Sequence, residues 1–303
     1  MCIGATLVDE LYFCEQNCIL HTSNPAVKTT SIGGVISNIA QHLALLNLQP
    51  SLITALGNDA DAAYITKCLQ DKGISLQESK HAEDSTGKYV SILNTDGNLV
   101  VAVCKDISIK YLTPAFLSTK AGYIKGFDLL IVDANISAES IQWLIDFARA
   151  NKQKIIIEPV SVAKAGKLAK LNLDGVYMIT PNEDELVVMA TIESADEAAL
   201  VAHFLNRGVE QVWIRKGKEG SVICSAEQSL ALGVPTIAIL DSTGAGDAAL
   251  AGWICGYING ENERTCLQLA HTLALEVLQI KGAVVPSISS DQLTNIKNNY
   301  YHE

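Results

Sequence analysis

Short apolar runs alternate with longer stretches of helical period along most of this chain. Cys2–Val8 reads as a buried strand, and Val35–Leu46 as an amphipathic helix closed by Asn47. Ser51–Ala55 is strand-like, after which Asp59 caps a helix that runs to Lys72 and stops at Gly73. Thr113-Pro114 starts another helix, Leu129–Val132 is a strand, Ser137–Ala150 a helix and Lys154–Ile157 a strand. Strand Val176–Ile179 precedes a helix from Asn182, Asp196–Arg207 is a helix ended by Gly208, and Val212–Ile214 and Ile237–Leu240 are strands. Such alternation predicts an α/β fold, a mostly parallel sheet with helices on both faces.

Two segments break the pattern. Leu11–Ser31 holds short β-like pieces around His21–Pro25, and Gly87–Cys104 reads as a hairpin, Val90–Leu93 and Leu99–Val103 joined by Asn94–Asn98. Ligands of open α/β sheets bind beyond the carboxyl ends of the strands, so strand excursions there would form a lid, from about residue 10 to 32 and 86 to 105. The alternative is a pair of surface hairpins. No internal repeat or low-complexity linker divides the chain, so residues 1–303 are expected to form one domain. The chain starts almost inside its first strand, which leaves open a segment upstream of Met1.

Composition narrows the function. With 303 residues, 49% of them hydrophobic, the chain is long enough to bury a large core. Its formal charge of −11, without a basic run, argues against DNA or RNA as partner and leaves room only for a small anion held by local groups. No apolar run is long enough for a membrane span and the amino terminus lacks the regions of a signal peptide, so a cytoplasmic protein without a membrane partner is expected. The eight cysteines form no Cys-x-x-Cys pair; Cys14 and Cys18 come nearest to metal spacing, with nothing to complete four ligands. Reduced packing thiols and no zinc are expected.

The densest chemistry lies in Asp241-Ser242-Thr243-Gly244-Ala245-Gly246-Asp247-Ala248, a glycine turn between an apolar run and an apolar helix. Glycines let the backbone approach a ligand, and the first amides of a helix lack internal partners, so the turn suits an anion. A carboxylate beside a phosphate site makes sense if Asp247 must take the proton of an attacking hydroxyl, which describes a kinase. The plainer alternative is a helix start with an acid set against the helix dipole.

Three further groups carry the same idea. Gly33-Gly34 precede the helix that carries Asn38, and Asp9 follows the first strand; together they suit a polyhydroxylated ligand such as a sugar. In Pro181-Asn182-Glu183-Asp184-Glu185, Asn182 and Glu185 lie one turn apart and would orient water around Mg²⁺, although acids in a first turn stabilise any helix. Arg215-Lys216-Gly217-Lys218-Glu219-Gly220 reads first as a hairpin turn between strands, and its cations would help hold a triphosphate. There is no Gly-x-x-x-x-Gly-Lys-Ser/Thr motif, and no Gly-x-Gly-x-x-Gly follows the first strand, which removes a P-loop enzyme and weakens an NAD-dependent one.

In that order and spacing, Gly33-Gly34 with Asn38, Asn182 with Glu185, and Thr243-Gly244-Ala245-Gly246-Asp247 resemble the ribokinase-like carbohydrate kinases, also called the phosphofructokinase-B family. The resemblance covers essentially the whole chain. It implies a three-layer α/β/α core with a mostly parallel sheet and a small β lid, ATP and Mg²⁺, and a sugar or nucleoside hydroxyl as acceptor. Within the family the chain looks most like the pseudouridine kinases, through Thr22-Ser23-Asn24-Pro25, Asn38-Ile39-Ala40, Asp133-Ala134-Asn135-Ile136-Ser137 and Glu158-Pro159-Val160-Ser161. It departs from that subgroup at Ile36-Ser37, where Gly-Arg is usual, at Cys104-Lys105, where Asn-Asp is usual, and at Arg215, where a small hydroxyl residue is common.

The resemblance also distributes roles. Asp247 is the expected base, and the amides of Gly244, Ala245 and Gly246 the anion hole. Asp9, Ser23, Asn24, Gly33, Gly34, Asn38 and Asn135 are expected to hold the acceptor. Asn182, Glu185, Arg215, Gly217, Gly220 and Thr243 are expected to hold ATP, with Glu185 reaching Mg²⁺ through water and Asp241 and Thr243 beside a K⁺ ion. The expected reaction is phosphorylation of the 5′-hydroxyl of a ribonucleoside, pseudouridine first; the alternatives are a kinase for another nucleoside or for free ribose or fructose, and a catalytically silent nucleoside sensor. Pairing of two copies through the lid is expected as well.

Overall fold

The computed structural model describes residues 1–192 and 196–302. Its strands begin with β1 (Cys2–Ile3), β2 (Leu7–Cys14), β3 (Ala26–Gly33), β4 (Leu52–Ile53), β5 (Ala55–Leu56), β6 (Lys80–His81) and β7 (Lys88–Leu93). They continue with β8 (Leu99–Lys105), β9 (Leu129–Asp133), β10 (Lys154–Glu158), β11 (Met178–Ile179), β12 (Gln211–Arg215), β13 (Ser221–Cys224) and β14 (Ser229–Leu232). The central sheet has the order β14-β13-β12-β11-β10-β9-β1-β4. From β12 to β4 every pair is parallel, and β13 and β14 extend the sheet antiparallel.

Helices α1 (Val35–Leu45), α2 (Ala60–Asp71), α3 (Ser108–Tyr111), α4 (Pro114–Thr119), α5 (Ala121–Ile124) and α6 (Ala138–Asn151) follow one another in the first half. The second half supplies α7 (Val162–Ala165), α8 (Glu183–Ala190), α9 (Glu197–Asn206), α10 (Ala245–Ile258), α11 (Glu263–Leu278) and α12 (Ser290–Tyr301). Successive strand residues point to opposite faces, so two cores form. Cys2, Leu52, Ile131, Ile156 and Met178 pack with α1, α2, α10, α11 and α12 on one face. Ile3, Ile53, Val132, Ile157 and Ile179 pack with α4, α6, α8 and α9 on the other. These are three layers, α/β/α, as the alternation predicts.

Several helix starts follow from local chemistry. Thr113 accepts the Phe116 amide ahead of Pro114, Asp59 accepts Ala62, Ser137 accepts Ser140, and Asp196 accepts Ala199.

Three sequence expectations are corrected. Cys2–Val8 is not one strand: the chain leaves the central sheet at Gly4, whose missing side chain makes room for the Asp133 carboxylate, and re-forms as β2 in a second sheet. The Ser51–Ala55 run likewise divides into β4 and β5, and β5 pairs with β6. Ile237–Leu240 forms no strand; Ile239 and Leu240 are exposed, and the run is tied down by the Leu240 amide donating to the Leu278 carbonyl.

The second sheet, ordered β3-β2-β7-β8, is the β excursion read from the sequence. The β-like pieces around His21–Pro25 are the connection, and the strand itself is β3. Its central pair, β2 and β7, is parallel, and both outer pairs are antiparallel. Asp9, Tyr89 and Cys104 fall in one register row across it.

Candidate active site

Parallel strands all deliver their carboxyl ends to one edge, and here that edge collects charge. Asp133 ends β9, its register partner Glu158 ends β10, Thr180 follows β11 and Arg215 ends β12. All but Arg215 are buried, and its side chain is only 17% exposed. Asp133 accepts from the Ala5 amide at 3.2 Å and from the Asn135 amide and Nδ2 at 2.9 and 2.8 Å. Burial nevertheless pushes it up to about 6. Glu158 accepts from Arg215 at 2.8 Å, from Thr180 Oγ1 at 2.7 Å and from the Val160 amide at 3.2 Å. Arg215 also donates to the Thr180 carbonyl.

The loop after Glu158 is strained. Val160 has φ 73 and the Ser161 amide reaches back to the Pro159 carbonyl, a tight γ-turn that a β-branched residue adopts at a cost. It leads into α7, whose Lys164 donates to Asn135 Oδ1.

The glycine turn sits over this edge. Gly244 caps α10 at φ 77 and lies so close to Ala283 that a Cβ would stand 2.4 Å from its carbonyl oxygen. Ala245, Gly246 and Asp247 form the first turn, where amides have no acceptor within the helix; the Ala245 amide makes a long bond to the Ser242 carbonyl, 3.4 Å, ahead of it. The Asp247 side chain points inward, where Asn38 Nδ2 of α1 donates to its Oδ2 at 2.8 Å. Burial pushes Asp247 up to about 7; the Asn38 bond opposes this, Glu158 adds to it, Arg215 opposes it and Asp133 adds to it. Asn38 Oδ1 is buried without a partner, an acceptor left open next to the carboxylate.

The other expected positions are placed as follows. Asp9 is the third residue of β2, in the second sheet and not at the end of the central strand; its carboxylate occupies the space that a side chain at Gly33 would need, and burial lifts it to about 6. Gly34 is the backbone start of α1. Ser23 is exposed at the far end of the β2–β3 connection, and Asn24 is bound to the Ile19 amide and to the Ile19 and Thr22 carbonyls of its own loop. Asn182 and Glu185 cap each other: the Asn182 amide donates to Glu185 Oε2 at 2.9 Å and the Glu185 amide to Asn182 Oδ1 at 2.8 Å. Gly217 and Gly220 bound the short turn of the β12–β13 hairpin. Asp241 holds the next loop, taking the Thr243 amide and hydroxyl on one oxygen and the Gly282 amide on the other.

Sequence reasoning picked out neither Asp133, Glu158 nor Lys164 as site residues. The signal for the first two is their position, a carboxylate directly after an apolar strand core at the end where open α/β sheets bind ligands.

Residues 1–290 match the model of the pfkB family of carbohydrate kinases. The chain belongs to that family. Over 314 aligned positions, 98% of this chain and 96% of the relative, it is 26% identical to a pseudouridine kinase of Escherichia coli K12. An Arabidopsis thaliana pseudouridine kinase is 28% identical over 74% of this chain and 64% of its own. A ribokinase structure from Arabidopsis thaliana, complexed with ribose and ATP, superposes with a TM-score of 0.83 at 20% identity, covering 97% of each chain. This pfkB-family chain is therefore an ATP-dependent sugar or nucleoside kinase of ribokinase fold, and kinases of its family use ATP and Mg²⁺. Among the described residues, no helix is long and apolar enough to cross a membrane.

Proposed function

We propose that this kinase transfers the γ-phosphoryl group of ATP to the 5′-hydroxyl of a ribonucleoside, with pseudouridine as the leading acceptor. The observation that carries the proposal is the Asn38–Asp247 contact, which joins residues 209 positions apart and leaves Asn38 Oδ1 open beside a carboxylate poised near neutral pH. A general base works best with a pKa near the operating pH. Asp247 takes the hydroxyl proton as the acceptor oxygen bonds to the γ-phosphorus, and the bond to the departing ADP oxygen breaks. Asn38 holds the acceptor hydroxyl, Asp9 and the backbone at Gly33 and Gly34 the other ribose hydroxyls, and Asn135 with Lys164 the far end. The amides of the first α10 turn receive the phosphoryl oxygens, each donor contributing roughly 3 kcal/mol of transition-state stabilisation.

Glu185 fits an indirect role toward Mg²⁺, because the cap uses Oε2 alone and leaves Oε1 to orient a water. When bound, Mg²⁺ neutralises phosphate charge. Gly217, Gly220, Thr243 and Asn182 border the nucleotide, and the Asp241 loop suits a K⁺ ion. The β3-β2-β7-β8 sheet closes as a lid on a single domain of residues 1–303. Two copies pair through it, a reading supported by the exposure of Val101 and Val103 on edge strand β8, at 47% and 63%. The protein works in the cytoplasm on a small molecule and not on nucleic acid.

The test is ADP release with Mg²⁺-ATP and K⁺ against pseudouridine, uridine, adenosine, ribose and fructose. Turnover confined to pseudouridine is the expected result. Turnover with another acceptor keeps the kinase and discards the nucleobase, and nucleoside binding without ADP favours a sensor.

A further inference from the structure

Sequence alone makes Arg215 a cation of the nucleotide loop, yet its guanidinium is turned inward. Nη2 is held by Glu158 Oε1 at 2.8 Å and by the Thr180 carbonyl, which fixes the plane of the group. Nη1 stands only 2.7 Å from where a Cβ at Gly246 would be. Gly246 thus accommodates Arg215 as well as any ligand, and the cation stands directly under the first turn of α10.

We propose that Arg215 is a positioning residue for the phosphoryl transfer: braced by Glu158 and Thr180, it fills the space beneath Gly246 and fixes the geometry and charge state of Asp247 without touching the nucleotide. The proposal rests on the kinase reading of Asp247. The groups that act on that carboxylate come from four elements: Asn38 from α1, Asp133 from β9, Glu158 from β10 and Arg215 from β12. Glu185 of α8 acts in turn on Arg215. Arg215 is the one cation among those groups. Lose it, and the charge that offsets Glu158 and Asp133 beside Asp247 is gone.

This makes Arg215 and Glu158 a charge pair with opposite effects on one group, and that antisymmetry is what the experiment reads. The acidic limb of the kcat profile and the ¹³Cγ titration of Asp247 would be followed in the full chain, the resonance assigned by its loss in D247N. Both would be measured in wild type, R215M, E158Q and the double variant R215M/E158Q. The double variant removes both partners of the Arg215–Glu158 pair, so neither is left buried without the other, which guards against a simple failure to fold. R215M is expected to move both titrations up by about one pH unit and E158Q down by a similar amount, with the double variant returning toward wild type.

A fall in kcat with neither titration displaced would reduce Arg215 to packing, and a rise in the KM for ATP with neither displaced would make it a nucleotide contact; either result overturns the proposal. The carbon titration needs no turnover. If no acceptor is phosphorylated while Asp247 still responds to the two variants in opposite directions, the reading of Asp247 as the base fails and only the bracing of that carboxylate by Arg215 stands.

Discussion

At the carboxyl edge of the central sheet burial lifts Asp247 to about 7 and Asp133 to about 6, whereas in the helical layer behind it burial lowers His42 and His271 to about 4. The same desolvation drives both sets toward the neutral form, and the difference lies in what surrounds them. His271 is held between the Ser221 hydroxyl at 2.8 Å and the Tyr301 hydroxyl at 3.1 Å, and His42 lies against the Asn38 carbonyl at 3.0 Å. These imidazoles stay neutral across the physiological range, and His271 ties β13 to α12. Asp247 instead has one amide donor, two acidic neighbours and one cation, a balance that leaves it close to its ionisation point. A scaffold puts its titratable groups far from charging; a site keeps one at the threshold.

The largest effect should come from breaking the site half of this contrast. Asp247→Asn keeps size and the contact with Asn38 but cannot take a proton, and turnover is expected to fall by about 10²- to 10⁴-fold with little change in ATP binding. Steady-state kinetics with the best acceptor decides it. Unchanged turnover in a folded variant would remove Asp247 as the base.

How much of this was legible in the sequence follows the same division. Asp247, Gly244 and Asn38 could be read because a glycine turn opening a helix is local chemistry. Glu158 and Asp133 offer only their position as a signal, because each looks like the last residue of an apolar strand until four parallel strands bring their ends together. Arg215 follows a β run and precedes a glycine turn, a context that reads as a hairpin; only its bond to Glu158, 57 positions away, shows it turned inward. Asp9 was displaced because Cys2–Val8 reads as one largely apolar run, and hydrophobicity does not say where a chain leaves one sheet for another. The hinge at Gly4 is dictated by Asp133, a residue distant in sequence. Helix caps at Asp59, Thr113, Ser137 and Asp196, by contrast, depend on neighbours three residues away and were all readable.

Acid should set the two halves against each other. A histidine with a folded pKa near 4 and an unfolded value near 6.5 binds fewer protons when folded, so its stabilisation is complete above about pH 6.5 and is lost as the pH falls toward 4. Each shift corresponds to roughly 3 kcal/mol at full extent. The carboxylates run the other way. Asp247, Asp133 and Asp9 are raised above the unfolded value, so the folded state binds more protons and loses stability as pH rises through about 6 to 7. Urea unfolding of the wild type is expected to show a shallow dependence between pH 7 and 4. His271→Gln should flatten the acid loss and Asp247→Asn should steepen it; identical slopes in all three proteins would mean that neither set is coupled to folding.

The two ends of α10 give the finest form of the comparison, because both are glycines of nearly equal conformation. Gly244 has φ 77 at the start of the helix and Gly260 has φ 76 just beyond its end. A side chain at Gly244 would meet Ala283 at 2.4 to 2.7 Å, whereas nothing lies within 4 Å of the same position at Gly260. Gly260→Ala therefore adds only backbone strain, about 1 kcal/mol of stability, and should leave turnover unchanged. Gly244→Ala adds the same strain plus a collision that must shift the first turn of α10, with Asp247 on it, and turnover should drop at least about tenfold, since small displacements of reacting groups are costly. Denaturation midpoints and kcat of the two variants separate the effects. Equal losses of turnover would show that α10 moves as one body and that the room beside Gly244 has no special bearing on the reaction.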